Sequence, residues 1–429
     1  MGDAVARRSD DLAESIATIA AFLAHGATWE GRECFWHVSG QRHGIPFRQE
    51  IDGSLYSGTA GIALFLGEWS AASGDAALLN LAESAARHAV RFAGELPVTT
   101  IGFHRGRVGV AYAAARLYAL GGGAEHRARA YELLRAFPLD AIGTVGNDVF
   151  AGAAGAIPPL IAIARMLADD SFLRVAEALG EHLLTTASRS VQGLSWPAGS
   201  HCPVNLAGYA HGASGCADAL LALSVTTGRT DFASAAMDAI CYERALFDTE
   251  HENWLDLSSA VAQREAQRAI ARSAGDIGIL LERLPRCARR FSTLWCHGAA
   301  GIGLARCRAA RVLRDENCRR EAVVAVKRTM ESIQKLASDG RYSLCHGVSG
   351  NVDILLSSDG IDSDDIDGNE LQRAIAAGAV HLVDAARTCT HQGPSIIVDP
   401  GLMLGMSGIA FACLRLLDGS IPPISHSAN

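Results

Sequence analysis

Three short stretches place a histidine, in two cases next to a cysteine, directly before a Gly-x-x-Gly pair. They are Ala210-His211-Gly212, Cys296-His297-Gly298 and Cys345-His346-Gly347. Cysteine thiolates and imidazole nitrogens are common zinc ligands in proteins. If the stretches meet in the fold, Cys296, Cys345 and His346 supply three ligands. His211 then lies beside the metal as a candidate general acid/base.

Three protein ligands leave one coordination position open, which is typical of a catalytic zinc site. The chain has no Cys-x-x-Cys pair, so a closed structural zinc site is not expected. Cys296 and Cys345 precede predicted helix starts, where the helix dipole favours a thiolate. The alternative is that both cysteines are buried in tightly packed turns. His297 is chemically as good a ligand as His346, and the residues alone do not choose between them.

Other polar residues lie near the remaining glycine turns. Asp148, four residues before Gly152, could orient a histidine or cap the following helix. His104 and Arg105 are predicted to be rim residues of a cavity. The other cysteines lack a partner motif and are expected to be core or surface thiols: Cys34, Cys202, Cys216, Cys241, Cys287, Cys307, Cys318, Cys389 and Cys413.

The glycine turn recurs along the whole chain. Its first glycines are Gly58, Gly106, Gly152, Gly212, Gly298, Gly347 and Gly405. A strongly apolar run follows each turn, and amphipathic segments such as 78–92 and 321–337 lie between them. A unit of about 50 residues therefore predicts one buried helix and one half-exposed helix. Strand signals are nearly absent.

The apolar first helix of each unit favours a closed ring, because neighbours then wrap it on all sides. Glycines three apart lie on one helix face and allow close backbone approach. We expect an all-α fold, an α/α toroid of about seven helix pairs, in a single domain over residues 1–429. Residues 1–50 add a leading helix (10–25) and a loop. Insertions are expected at 192–205 and at 248–291, the latter with a polar helix around 259–273, and residues 419–429 form a frayed tail.

The composition restricts the possible partners and locations. The net charge is −8 and there are no basic runs, which argues against nucleic acid and anionic membranes. No apolar run reaches the roughly 18 residues that span a bilayer. The charged N-terminus resembles no signal peptide, so a cytoplasmic location is expected.

The seven turns, with Trp-Cys-His-Gly at the fifth and Cys-His-Gly at the sixth, resemble the lanthionine synthetase C-like (LanC) family of cyclases. The resemblance extends from about Leu55 to Leu417. Segments such as Ser-Leu-Tyr-Ser-Gly-Thr-Ala-Gly (54–61) and Gly-Leu-Ser-Trp-Pro (193–197) are most similar to the cyclase domain of class II, LanM-type lanthipeptide synthetases. No dehydratase domain precedes it here, which indicates a free-standing cyclase or a fragment.

The resemblance implies a zinc site at Cys296, Cys345 and His346, with His211 as acid/base and Asp148 as its assistant. It also implies the reaction, in which peptide cysteines add to dehydroalanine or dehydrobutyrine and form (methyl)lanthionine rings. The expected partners are a dehydrated precursor peptide and possibly a dehydratase. Class I cyclases carry an arginine and a tyrosine where this chain has Ser292 and His297, so their mechanism does not transfer directly.

Three alternatives remain open. The same zinc site could add glutathione to dehydroamino acids, as in eukaryotic LanC-like proteins. The toroid could instead be a non-catalytic scaffold that holds a peptide. Protein prenyltransferase β-subunits also combine an α/α barrel with zinc, but the low aromatic content of 6% disfavours an isoprenoid pocket.

Overall fold

In this computed structural model, α-helices form two concentric layers. The structure describes residues 2–42, 45–135, 137–199, 202–272, 275–358, 365–390 and 398–424. Its α-helices in chain order are α1 (Gly2–Gly26), α2 (Thr59–Ser73), α3 (Ala76–Glu95), α4 (Arg107–Ala119), α5 (Ala124–Arg135), α6 (Ala153–Leu167), α7 (Ser171–Thr186), α8 (Ala213–Thr227), α9 (Thr230–Arg244), α10 (Ala260–Ile270), α11 (Leu280–Arg283), α12 (Ala299–Leu313), α13 (Glu316–Ser338), α14 (Val348–Leu356), α15 (Gly368–Thr390) and α16 (Met406–Leu417).

Seven helices form the inner layer: α2, α4, α6, α8, α12, α14 and α16. Each contacts the next in this order, and α16 contacts α2, so the inner layer is a closed ring. Each of the first six inner helices packs against the outer helix that follows it in the chain: α3, α5, α7, α9, α13 and α15 in turn. This arrangement confirms the predicted α/α toroid.

The burial of each layer follows its sequence pattern. Helix α2 buries residues on every face, whereas α3 buries a stripe that includes Leu78, Ala82, Ala85 and Ala89. That spacing of three or four residues places the stripe on one side of a helix. The predicted pairing of a wholly buried helix with a half-exposed one is therefore confirmed.

Buried ion pairs join some of the inner helices, which the sequence pattern did not predict. They link α2 to α4 (Glu68–Arg116, 2.5 Å), α8 to α12 (Asp218–Arg308, 2.6 Å) and α14 to α16 (Asp353–Arg415). Because a buried charge without its partner is costly, each pair fixes which helix lies next to which.

Helix α1 closes the outer layer. The predicted leading helix is present and longer than expected, and it packs against α15 and α16. The last inner helix thus receives its outer partner from the opposite end of the chain. The prediction of a loop after this helix is wrong, because two hairpins follow it. Their strands are β1 (Thr28–Glu30), β2 (Glu33–Phe35), β3 (His37–Arg42) and β4 (Ile45–Glu50).

Two further antiparallel hairpins span the starts of the predicted insertions. They comprise β5 (Ser188–Ser190) with β6 (Gly193–Ser195) and β7 (Phe247–Asp248) with β8 (Asn253–Trp254). Strands of two or three residues are too short to show alternation, so the pattern did not predict them. The indoles of Trp36 and Trp196 donate hydrogen bonds to the carbonyls of Leu23 and Leu183, at 2.7 and 2.8 Å. Each bond fastens a hairpin to the helix before it.

The remaining predictions on the ends and insertions have mixed outcomes. The polar helix predicted around 259–273 corresponds to α10, and Ser273 lies outside the described residues. The frayed tail predicted for 419–429 is wrong for 419–424, since Ile421 and Ile424 are buried and Arg415 donates to the Ile421 carbonyl. Residues 425–429 lie outside the description. None of the described helices is both long and apolar enough to cross a bilayer.

The glycine turns share the same close approach throughout the ring, although Gly298 has a positive φ of +81° where the other first glycines are extended. Each first glycine is the N-cap of an inner helix. A β-carbon on each second glycine would lie only 1.8–2.3 Å from the carbonyl oxygen six residues earlier. Such a distance is far below van der Waals contact, so the turn requires glycine.

Backbone hydrogen bonds connect neighbouring turns. For five of the seven turns, the residue two before the first glycine donates its N–H to its counterpart in the next turn, as for Tyr56 to His104 (2.9 Å), Ala210 to Cys296 (3.1 Å) and Met403 to Tyr56 (2.8 Å). The inner helices therefore all begin at the same end of the ring.

We predict that Gly155→Ala destabilises the fold. The new β-carbon would lie 1.9 Å from the Val149 carbonyl oxygen, and the backbone around it cannot move away. The free energy of unfolding should fall by about 1–3 kcal/mol, as in other overpacked sites. Urea unfolding followed by tryptophan fluorescence measures it.

The matched control is Gly94→Ala in α3, where a β-carbon meets nothing within 4 Å. An alanine there should leave stability unchanged or raise it by up to about 1 kcal/mol. Equal unfolding midpoints for the two variants would contradict the account of the turns.

Candidate metal centre

Two rings of side chains surround the end where the inner helices begin. The residues two before each first glycine form a mainly buried ring: Tyr56, His104, Phe150, Ala210, Cys296, Cys345 and Met403. The residues immediately before each first glycine form the second ring and are half-buried or exposed: Ser57, Arg105, Ala151, His211, His297, His346 and Leu404. The predicted site residues therefore lie in two layers at one mouth of the toroid, with the three histidines in consecutive units.

The structure brings Cys296, Cys345 and His346 together. Their Sγ and imidazole nitrogen atoms all lie within 4.8 Å of one another. Among the described residues, this group does not include His297. The residues alone did not decide between His297 and His346. The positions of the side chains favour His346. Their role as ligands stays a prediction.

The spacing of the three side chains fits a zinc ion. The Cys345 Sγ and His346 Nε2 atoms are 3.4 Å apart. Tetrahedral zinc with its usual bond lengths would hold a sulfur and a nitrogen ligand about 3.6 Å apart. The two thiols and the imidazole also match the Cys₂His set of catalytic zinc sites, which keep a fourth position for water or substrate.

The two cysteines differ in acidity because their thiols share a hydrogen bond. This bond lowers the pKa of Cys345, against the effect of burial, and a hydrogen bond from Tyr56 acts in the same direction. The same bond between the thiols and burial raise the pKa of Cys296.

His211 and Asp148 form the predicted pair. The His211 Nδ1 atom lies 2.7 Å from Asp148 Oδ2, and the His211 side chain is 33% exposed. The other Asp148 oxygen accepts a hydrogen bond from the Ala151 N–H at 2.8 Å. Asp148 thus orients a histidine and holds the turn before α6, but it does not cap that helix, whose N-cap Gly152 carries no side-chain hydrogen bond. With Nδ1 facing the carboxylate, His211 Nε2 is free to face the mouth.

The turn of His297 and the turn of Asp148 lie on opposite sides of His211. The two imidazole centroids are 6.1 Å apart. Burial lowers the pKa of His297, and the Asp256 carboxylate acts in the opposite direction. A second histidine therefore belongs to the mouth without being part of the group of Cys296, Cys345 and His346.

Tyr56 is a site residue that the sequence reasoning missed. Its hydroxyl forms a hydrogen bond with Cys345, and its pKa is raised by burial and by the neighbouring thiols. The available signal was positional, because Tyr56 stands two residues before Gly58, just as Cys345 stands two before Gly347. The tyrosine hydroxyl supplies a hydrogen bond to a ligand sulfur, a contact that tunes metal sites.

The expectation that His104 is a rim residue is wrong. Its side chain is fully buried, and neither ring nitrogen has a hydrogen-bond partner among the described residues. Aromatic rings surround it, with Trp295 at a centroid distance of 5.0 Å, and burial lowers its pKa to about 3. Arg105 is exposed as predicted and pairs with Asp52 at 3.3 Å.

Comparisons with known proteins agree with this architecture. A family model described as "Lanthionine synthetase C-like protein" matches residues 49–426. Among solved structures, nisin cyclase aligns with a TM-score of 0.64 and 16% identity, over 86% of this chain and 89% of that one. At that identity the likeness concerns the fold. A search of curated protein sequences found no match.

Two other helical enzymes align less well. A sugar epimerase from a ruminal bacterium gives a TM-score of 0.48 at 10% identity, over 96% of this chain and 99% of that one. A family 76 glycoside hydrolase (mannosidase) from Bacteroides thetaiotaomicron gives 0.43 at 9% identity, over 95% and 98%. Scores below 0.5 do not establish a common fold.

We predict that the purified protein binds about one zinc ion per chain. Cys345→Ala and His346→Ala should abolish binding, because two remaining ligands do not hold zinc in a tetrahedral site. Elemental analysis of metal-loaded, gel-filtered protein measures the stoichiometry.

His297→Ala is the matched control, since it removes a neighbouring imidazole from the same mouth and should keep the zinc. A wild-type protein without zinc would refute the site. Loss of zinc in His297→Ala would show that the ligand set is assigned to the wrong histidine.

Proposed function

Because the family model covers most of its length, this chain belongs to the lanthionine synthetase C-like family, and we propose that it is a zinc-dependent cyclase that forms thioether rings in dehydrated peptides. The observation that carries this proposal is the cluster of Cys296, Cys345 and His346 beside the His211–Asp148 pair. It combines a metal-ligand set that leaves one position open with a candidate acid/base, at one solvent-accessible mouth.

The proposed reaction joins a cysteine sulfur of the peptide to the β-carbon of dehydroalanine or dehydrobutyrine in the same peptide. Zinc bound by the three ligands would lower the pKa of the attacking thiol. The carbon–sulfur bond forms as the C=C π electrons move towards the carbonyl oxygen, and the α-carbon then takes up a proton. No atom is lost or gained overall, so no co-reactant is needed.

His211 is placed to carry the proton from the thiol of the peptide to the α-carbon. Its Nδ1 faces Asp148 at 2.7 Å, which leaves Nε2 to accept the thiol proton and deliver it to the α-carbon. Proton transfer by a positioned histidine typically contributes a factor of about 10²–10⁴ in rate. Asp148 fixes the orientation of the ring through this hydrogen bond.

The helix ends around the mouth favour negative charge. Helices α8, α12 and α14 begin directly after His211, His297 and His346 with their glycine N-caps. The dipoles of these helices place partial positive charge at their first turns. An enolate that forms between them would be stabilised electrostatically.

The proposed partners follow from the substrate chemistry. Dehydroalanine and dehydrobutyrine arise when serine and threonine lose water, so a dehydrating enzyme must act before this one. Whether that dehydratase binds this chain stays a prediction, as does the cytoplasmic location. The peptide would enter from the mouth, where His211 and His346 are half-exposed.

We predict that the zinc-loaded protein cyclises a peptide that contains one dehydroalanine and one cysteine a few residues apart. Addition leaves the mass unchanged, so ring formation is followed as loss of the thiol that an alkylating reagent detects. His211→Ala should lower kcat by about 10²–10⁴-fold and retain its zinc, because His211 lies outside the ligand group.

His381→Ala on α15, a half-exposed histidine bonded to Gln334, is the matched control and should cyclise like the wild type. A zinc-loaded wild type that leaves the thiol free would refute the proposal. Glutathione offered to a peptide without cysteine tests the intermolecular alternative. Rapid adduct formation without ring formation would show that the protein adds glutathione and does not cyclise peptides. If neither reaction occurs, the scaffold function is the remaining explanation.

A further inference from the structure

We propose that Glu243, a fully buried carboxylate in the last turn of α9, positions the loop that carries His211. Glu243 belongs to the outer helix layer and not to the mouth, so it acts on ring formation through the backbone of residues 208–214. The inference rests on the cyclase function proposed above, in which His211 moves the proton.

Glu243 holds both ends of the loop that presents His211. One carboxylate oxygen, Oε1, accepts hydrogen bonds from the Gly208 N–H and from the Ser214 N–H, each at 2.9 Å. The other oxygen, Oε2, accepts from the Ser214 hydroxyl at 2.5 Å. His211 lies midway between the two anchored residues, three positions from each. A single side chain from the outer layer therefore fastens the loop on both sides of the histidine.

The first anchored residue, Gly208, also lies against the neighbouring turn. Its φ of +104° favours glycine, and a β-carbon there would lie 3.2 Å from the Cys296 carbonyl oxygen and 3.3 Å from the His297 Cα atom. The backbone of the two turns is thus close to contact at this point. The position of Gly208 therefore sets the separation between the loop of His211 and the turn that supplies Cys296.

The second anchored residue, Ser214, is the second residue of α8, whose glycine N-cap carries no side-chain hydrogen bond. The N–H groups of a first helical turn have no carbonyl partner inside the helix, so Glu243 supplies one from another helix. The serines at the same position of two other turns, Ser349 and Ser407, donate their hydroxyls to carbonyls of their own turns. The loop of His211 differs from these two because it is fastened to the outer layer.

The contacts of Glu243 require a carboxylate. Arg306 completes them, since its Nη2 atom lies 2.9 Å from Glu243 Oε2 and both side chains are fully buried. Three of the four groups bonded to Glu243 are N–H donors, and they are divided between its two oxygens. An amide of the same size has only one accepting atom. Its NH₂ group would therefore face at least one N–H donor in either orientation.

Arg306 is held from its other side by Glu321. The Arg306 Nε atom donates to Glu321 Oε2 at 2.5 Å, and Glu321 also accepts from Arg244. Glu321 thus belongs to the same charged network, but its partners there are arginines. A buried ion pair is often no more stabilising than apolar residues of similar volume, so stability alone does not account for Glu243.

A purely structural role is the competing explanation, because a change in a buried network can destabilise the whole fold. Glu321→Gln separates the two roles. Like Glu243→Gln, it replaces a carboxylate that pairs with Arg306. Unlike Glu243→Gln, it leaves the hydrogen bonds of Gly208 and Ser214 in place.

The first experiment measures zinc content, urea unfolding, kcat and KM for the full-length chain with the cyclisation peptide above. Glu243→Gln should keep its zinc and its KM within about threefold, while kcat falls about 10–100-fold, because a small misplacement of a catalytic group has an effect of that size. Glu321→Gln should keep the wild-type kcat even where its unfolding midpoint falls as far. Wild-type kcat in Glu243→Gln, or equal losses of kcat in the two variants, would overturn the inference.

The second experiment observes His211 directly, by NMR of the zinc-loaded protein with ¹⁵N-labelled histidines. Glu243→Gln should shift the His211 ring nitrogen resonances, which are identified by their absence in His211→Ala. Glu321→Gln should leave them in place. Unchanged His211 resonances in a folded Glu243→Gln protein would refute the positioning role whatever its activity.

The outcomes separate this inference from the function on which it rests. A zinc-loaded wild type that does not cyclise refutes the proposed function, and the NMR experiment still decides whether Glu243 positions His211. If Glu243→Gln does not fold, Ser214→Ala takes its place, because it removes only the hydroxyl bond to Oε2. Ser214→Ala should shift the same resonances and lower kcat by a smaller factor, and wild-type values for both would contradict the inference.

Discussion

The close approach of backbone to backbone in the glycine turns is the constraint on which the rest of the structure depends. In all seven turns the second glycine lies where a β-carbon would be 1.8–2.3 Å from the carbonyl oxygen six residues earlier. The chain therefore makes the same tight reversal before every inner helix. Consequently the two residues before the first glycine always face the same end of the ring, whatever their side chains are.

This repetition explains how residues far apart in sequence form one site. Cys296 and Cys345 occupy the same position in consecutive turns, and ring closure brings their thiols into contact. The Ala210 N–H, bonded to the Cys296 carbonyl, joins the turn of His211 to that of the first cysteine. Chemistry can thus change by substitution at two positions per turn while the framework stays constant. The ion pairs between inner helices fix helix order separately from the site.

The fold and most of the candidate site were predictable because each signal was local and repeated. The glycine pairs, the apolar runs and the residues before each turn can be read within a few positions. The parts that were missed depend on long-range packing. Helix α1 becomes the outer partner of α16 only when the ring closes. The burial of His104 follows from the aromatic rings that other turns place around it.

The central claim is that three protein ligands hold zinc and leave one position for the thiol of a peptide. X-ray absorption at the zinc edge tests it most directly, on the metal-loaded protein before and after addition of a peptide with a single cysteine. The account predicts two sulfur ligands in the free protein and three in the complex. The same two-sulfur spectrum with and without saturating peptide, or a fourth protein ligand in the free protein, would contradict it.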